Sequence, residues 1–297
     1  MLNTYSSQKR GFLSLALTAF ILGNFGLLIR ALAPTFSDAG QVIARSFVAT
    51  TIISLIIFYK KLNPLKINKK QIKYILAFCI TFPLSVLAFT ISANSIKVSN
   101  SLFMLFVGSL FSTAIYGKFL FKEKFTFKHI ASLILVLIGL TFFIYPFSIQ
   151  SISLGLILGI LAGLSEGTSH TLRKLMSGIK REVIVFYQSL SGAIVAILFF
   201  LVGNEPLIKE FHFISIPAAI IFGSLLVVIG YLLVYGFENF DVNLGTIILA
   251  TELFFALLIN AIFLKEIPTT YEIIGGLFIF SGTVITSLKL GGKKTLS

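Results

Sequence analysis

From Ile130 to Ser165 the chain carries no acidic, basic or histidine side chain. At 1.5 Å per residue this run would span roughly 54 Å as one helix, nearly twice the ~30 Å hydrocarbon thickness of a bilayer. It therefore reads as two crossings, with Pro146, Ser148, Gln150, Ser151 and Ser153 supplying the break. The rest of the chain follows the same rule. Of its 297 residues, 57% are hydrophobic and 12% charged. The charged share is half the ~25% of soluble domains. Such a chain cannot cover a water-facing surface, and a bilayer-spanning backbone must satisfy its own hydrogen bonds as helix. A soluble enzyme, a secreted disulfide scaffold and a disordered tail protein are excluded. The lone cysteine, Cys79, lies in an apolar run and reads as a small packed hydrophobe.

Uncharged runs predict ten spans at about 11–33, 40–59, 72–94, 98–119, 127–146, 152–173, 183–203, 213–237, 242–264 and 270–288. The first is too long for a signal-peptide core and lacks a convincing cleavage site. The connections leave no room for a separate soluble domain. The net charge of +13 is explained by positive-inside topology. Nineteen Lys and Arg residues, including Arg173, Lys174 and the loop lysines 60–73, fall at one end of the spans. Only Lys97, Lys209 and Lys265 fall at the other, so both termini are expected to be cytoplasmic. Glu238 and Asp241 form a local acidic exception at the basic end.

The chain repeats itself. Phe106–Gly139 aligns without a gap to Leu249–Gly282 at an offset of 143 residues. Both copies run from an apolar span into Lys-Glu (Lys122-Glu123, Lys265-Glu266), then a turn, a second span and a glycine. At an offset of 144, Gly11 meets Gly155 and Gly23 meets Gly167. Five spans per copy, an odd number, place the halves in opposite orientation, as in secondary transporters whose site lies between inverted repeats.

These features resemble the EamA-like group of the drug/metabolite transporter (DMT) superfamily. The resemblance covers about 11–288. It rests on the ten short-looped spans, the doubled Lys-Glu unit, Arg45 within Ala44-Arg45-Ser46-Phe47-Val48, and Gln188 at the equivalent place of the second half. Gly23-Asn24-Phe25 stands where the group often has Trp-Gly, and Gly108 where a proline is common. The resemblance implies an all-α integral membrane protein of ten transmembrane helices, built as two inverted five-helix EamA-like repeats. These repeats occupy 1–146 and 147–297, the second ending in a short cytoplasmic tail. It also implies a permease for small organic metabolites, often amino acids and their relatives.

Ionisable residues within spans cost about 2.5–3.5 kcal/mol on insertion scales, so each needs a partner, a water cavity or a role. Glu252 near the middle of span nine, Glu166 in span six and Arg45 in span two are candidate substrate ligands. His170, at i+4 from Glu166, shares its helix face; with Glu252 it is a candidate proton relay. A structural Arg–Glu pair is the plainer alternative for Arg45. Arg30 is expected to snorkel to the interface. Asn24, Asn94, Ser109, Ser112, Tyr187, Gln188, Tyr231 and Asn260 are candidate cavity-lining residues, and of these Asn24, Ser109, Tyr187, Gln188 and Tyr231 are further candidate substrate ligands. Glu123 and Glu266 read as structural, closing a hairpin or capping the next helix. Gly155, Gly159, Gly163 and Gly167 make a smooth stripe on span six, suited to close helix packing; Gly275-Gly276 and Gly282 do similar work in span ten.

No phosphate-binding loop and no zinc spacing occurs, so no cofactor or metal is expected. The expected function is secondary active transport of a small polar metabolite, an amino acid or derivative, across the cytoplasmic (inner) membrane by alternating access. The expected partners are that metabolite and the lipid bilayer, with no nucleic acid and with the chain a monomer or homodimer. An exchanger for a larger nucleoside-like or cofactor-like metabolite is the alternative within transport. A polytopic membrane enzyme or a non-transporting scaffold is the alternative outside it.

Overall fold

The computed structural model describes residues 2–123, 126–143, 153–203, 205–263, 265 and 267–288. Glu266, Pro146, Ser148, Gln150 and Ser151 lie outside the described residues. The described residues form helices joined by short connections: α1 (Leu2–Leu22), α2 (Phe25–Leu32), α3 (Asp38–Tyr59), α4 (Lys69–Ser95), α5 (Val98–Phe119), α6 (Phe127–Phe143), α7 (Leu154–Leu175), α8 (Arg181–Val202), α9 (Ser215–Asn239), α10 (Val242–Leu249), α11 (Glu252–Phe263) and α12 (Thr270–Leu288). The first and ninth predicted spans are each two helices, α1–α2 and α10–α11. Among the described residues, seven segments are long and apolar enough to cross a membrane by length and composition, and α6 and α12 contain shorter apolar helices. The protein is a multi-pass membrane protein.

The two broken spans owe their breaks to polar side chains that compete for backbone. At Gly23-Asn24 the Asn24 amide N–H bonds three residues back to Ile21 O, and its side chain donates to Phe20 O. At Ala250-Thr251 the Thr251 amide bonds to Ile248 O, to which its hydroxyl also donates. Such tightened turns interrupt the ordinary helical ladder. The sequence pattern alone predicted continuous spans there.

The internal repeat has a structural counterpart at several points. The lysines of both Lys-Glu pairs, Lys122 and Lys265, adopt left-handed backbone (φ 51° and 55°). Turns Ile96-Lys97 and Phe240-Asp241, 144 residues apart, have matching extended dihedrals. Arg30 donates to Ile96 O at 3.0 Å. Lys174, also 144 residues on, donates to Phe240 O at 3.0 Å. Arg30 therefore closes the C-terminus of α4, where cations are favoured. Helix packing is paired in the same way, α3 on α8 and α6 on α12, with α5 on α7 answered by α1 on α10 and α11.

α7 lies between α5 and α4 because its glycine stripe has no side chains to hold it off. A Cβ on Gly163 or Gly108 would fall inside van der Waals distance of the facing helix backbone. A Cβ on Gly159 would lie 2.7 Å from Met104 Cβ. The α6–α12 pair is close at Gly139, whose Cβ would lie 2.6 Å from Gly275 O.

At the lysine-rich end, Glu123 accepts from Val242 N (2.7 Å) and Asn243 N (3.2 Å), and pairs with Lys174 at 3.1 Å. Glu123 is thus a helix cap, but for α10 in the other half rather than for its own next helix. The acidic exception is paired at this same end, Glu238 with Arg181 and Asp241 with Lys174. At the lysine-poor end, Lys97 meets Glu272, which closes a capping box with Thr269.

Two measurements test this packing. Gly163→Val should abolish recovery of folded protein, since overpacking of such a contact costs about 1–3 kcal/mol or more. Gly276→Ala, whose Cβ would sit at an ordinary 3.4 Å, should leave the yield unchanged. Glu123→Ala should destabilise the folded protein by about 2 kcal/mol, through the loss of charge-assisted hydrogen bonds and of the α10 cap, read by thermal unfolding in detergent.

Candidate functional site

A cavity of about 80 Å³ lies at the centre of the bundle, beside both broken spans. Its polar lining is Arg45, Ser85, Glu166, Arg173, Gln188 and Glu252. Its wall is apolar, with Leu22, Phe25, Ile29, Phe82, Phe89, Leu105, Phe222 and Leu233 among its members. The volume is that of a few waters, each taking about 30 Å³, and far below the ~300–1,000 Å³ of open ligand pockets.

The repeat explains why these residues converge. Many lining residues fall in pairs at the repeat spacing: Leu22 with Glu166, Ile29 with Arg173, Phe82 with Leu226, Ser85 with Ile229, Phe89 with Leu233, and Arg45 with Gln188. The internal two-fold thus brings equivalent positions to one centre, and the sequence fills them unequally. The second half supplies Glu166, Arg173, Gln188 and Glu252. The first half supplies Arg45, Ser85 and most of the aromatic wall.

Both arginines are held by aromatic faces. The Arg45 guanidinium sits 4.3 Å from the Phe222 ring centroid, and that of Arg173 sits 5.0 Å from Phe78. Phe78 and Phe222 are themselves related by the repeat offset. Desolvated contacts of this kind contribute about 2 kcal/mol. Arg45 donates to Thr90 Oγ1 at 2.6 Å, and its Nε has no protein partner. Arg173 donates to Gln188 Oε1 at 3.0 Å and lies 2.9 Å from His170 Nδ1; its Nε is also unpartnered. Arg45 and Arg173 are 2% and 1% exposed, yet among the described residues neither has a carboxylate within ion-pair distance. The expected alternative of a structural Arg45–Glu pair is therefore not what the fold builds. Buried cations without an acid are costly, which leaves both able to take an anionic group.

Glu252 is the first residue of α11, so the break in span nine sets its carboxylate at a helix N-terminus, where negative charge is favoured. Glu166 is a quarter exposed and 4.0 Å from His170 Nε2. His170 does not line the cavity; its ring stacks on Phe237 at 4.5 Å and braces Arg173 from behind.

Of the other predicted lining residues, only Gln188 reaches the cavity. Asn24 is spent on the α1–α2 turn. Tyr187 donates to Pro64 O near the lysine-rich end, and Tyr231 lines a cleft there with Lys60 and Glu182. Ser109 is fully buried against α7, where the absent side chain of Gly167 leaves room for it. Ser112 donates to Ser109 O, and Asn94 to Asp38. Arg173 went unrecognised because it stands beside Lys174 at a span end and reads as a topology charge. Its signal was present: Glu166, His170 and Arg173 fall at i, i+4 and i+7, one face of a helix.

The cavity is flanked at both ends by packed structure. Towards the lysine-rich end, Phe78, Leu172, Met176, Ile184 and Val234 form an apolar plug. Towards the other, the α2–α3 and α8–α9 connections clasp each other. Phe36 and Ile208 form an antiparallel bridge, Lys209 N donates to Thr35 O (2.8 Å) and His212 N to Thr35 Oγ1 (2.9 Å). Ser215 Oγ adds a bond to Ala31 O at 3.0 Å.

Comparison with known proteins agrees with this architecture. A crystal structure described only as that of a protein superposes with a TM-score of 0.76 at 12% identity, covering 97% of this chain and 99% of the other. That likeness concerns the fold alone. Among curated proteins none matches. The sequence matches the EamA-like transporter family twice, over residues 9–145 and again over 153–288. Two copies covering nearly the whole chain, a helical fold repeated about a central cavity, and spans broken beside it lead to one conclusion: the chain belongs to the EamA-like transporter family.

Proposed function

We propose that the protein is a secondary active transporter that moves a small polar metabolite, an amino acid or derivative, by alternating access. The observation that carries this reading is the central cavity holding two arginines and two glutamates between apolar walls, with no direct arginine–glutamate ion pair there among the described residues. Arg45 and Arg173 suit a substrate carboxylate, and Glu252 and Glu166 suit an ammonium group or a proton. A zwitterion would complement both signs at once, which a simple anion or cation would not. The cavity is too small for such a molecule as it stands, so binding requires one end to open. The apolar plug and the clasp are the two gates, and closing them in turn carries substrate across without a continuous pore.

The lysine-rich end is taken to face the cytoplasm, which makes the clasp the external gate. Boundaries near 146 and 147 separate the two rocking halves. The acids and bases converge in the bundle interior rather than at one interface, which favours transport over membrane-bound catalysis. A scaffold would have no use for ionisable groups gathered around a buried cavity.

The test is counterflow. Proteoliposomes preloaded with a mixed unlabelled amino-acid pool should accumulate labelled amino acids above empty liposomes, with gradient dependence reporting proton coupling. No accumulation by folded, inserted protein would sink the amino-acid reading and direct the search to nucleoside-like substrates. Glu252→Gln should lower counterflow at least about tenfold, equivalent to about 1.4 kcal/mol, with unchanged yield of folded protein. Arg173→Met should lower it comparably, and wild-type transport by either variant would remove that residue from the site.

A further inference from the structure

Gln41 is fully enclosed, at 0% exposure, and neither its side-chain oxygen nor its nitrogen has a hydrogen-bond partner among the described residues. A primary amide buried in this way is costly, and a leucine of similar size would fill the same place without that cost. The residue also stands at a telling position. On α3, Asp38, Gln41 and Arg45 fall at i, i+3 and i+7, so they form one polar stripe along one helix face. The stripe runs from the clasp to the cavity. Its two ends are satisfied from the facing helix α4, Asp38 by Asn94 and Arg45 by Thr90, one turn apart. Gln41 is the rung between them that has nothing to bond. Just before it in sequence the clasp is seated tightly on α3: Ser37 N donates to Leu207 O, and a Cβ on Gly40 would lie 2.5 Å from that same oxygen.

We infer that Gln41 is a polar station on the transport path, sealed unpaired beneath the closed clasp and given hydrogen-bond partners only when the clasp opens. Its unmet bonds raise the free energy of the closed form relative to the open one. The strong clasp and the unpaired amide thus oppose each other, and their balance keeps the gate reversible. Gln41 acts on the opening step and holds no part of the substrate in the closed cavity, whose lining does not include it. This extends the alternating-access reading by assigning a residue to one of its gates.

The experiment has two arms. In the first, protein with its only cysteine removed (C79S) and Q41C introduced is placed in lipid nanodiscs, where both faces meet solvent. A polar maleimide should modify position 41 slowly. It should do so about tenfold faster when T35A and S215A remove the side-chain bonds of the clasp, a factor that corresponds to about 1.4 kcal/mol. Equal rates with and without T35A/S215A overturn the inference. In the second arm, Q41L should raise the melting temperature by a few degrees and lower the maximal rate of amino-acid counterflow several-fold, with KM unchanged. A lowered melting temperature, a wild-type maximal rate or a loss confined to KM overturns it. The labelling arm uses no substrate. If the parent protein shows no counterflow, the amino-acid reading fails while Gln41 is still judged by its labelling rate and melting temperature.

Discussion

The contact of α7 with α5 at Gly163 and Gly108 governs the rest of the structure. α7 carries Glu166, His170, Arg173 and Lys174, and a helix with these groups cannot rest against lipid. Its glycine stripe lets it sink between α4 and α5 until backbone meets backbone. That depth brings Arg173 to Gln188 and to the rings of Phe78 and Phe82. In a bilayer the hydrophobic effect does not drive helices together, so close packing of small residues and interhelical hydrogen bonds must do so. Here the same helix supplies both.

The two halves are alike in backbone and unlike in chemistry. Matching turns, the left-handed lysines and the equivalent Arg30 and Lys174 bonds show that the scaffold is held by repeated contacts. The cavity departs from that equivalence, with charge concentrated in the second half and aromatic surface in the first. The end contacts differ as well. The lysine-rich end combines ion pairs with an apolar plug, whereas the clasp is made of backbone and hydroxyl hydrogen bonds.

The reading of individual residues shows where pattern suffices. Arg45, Glu166, Gln188 and Glu252 were legible because charge or amide inside an apolar run is expensive wherever the run folds. Arg173 was not, because charge at a span end is ordinary, and only the helix's burial makes it otherwise. Asn24, Tyr187 and Tyr231 are polar for local reasons, a turn and a wet helix end, that the sequence does not distinguish from cavity lining. Gln41 drew no notice, since one glutamine on a span has many harmless explanations until its burial and lack of partners are seen.

Composition, the lengths of apolar runs and the 143–144-residue spacing by themselves determined a ten-span membrane protein made of two related halves. They do so because bilayer thickness and backbone hydrogen bonding admit few other arrangements. The tertiary structure alone decided which polar residues meet, that spans one and nine break beside the cavity, that Glu123 caps a helix of the opposite half, and that the α2–α3 and α8–α9 connections clasp each other. Those outcomes depend on which helix faces touch and at what depth. Packing between residues distant in sequence sets both, and no local pattern records them.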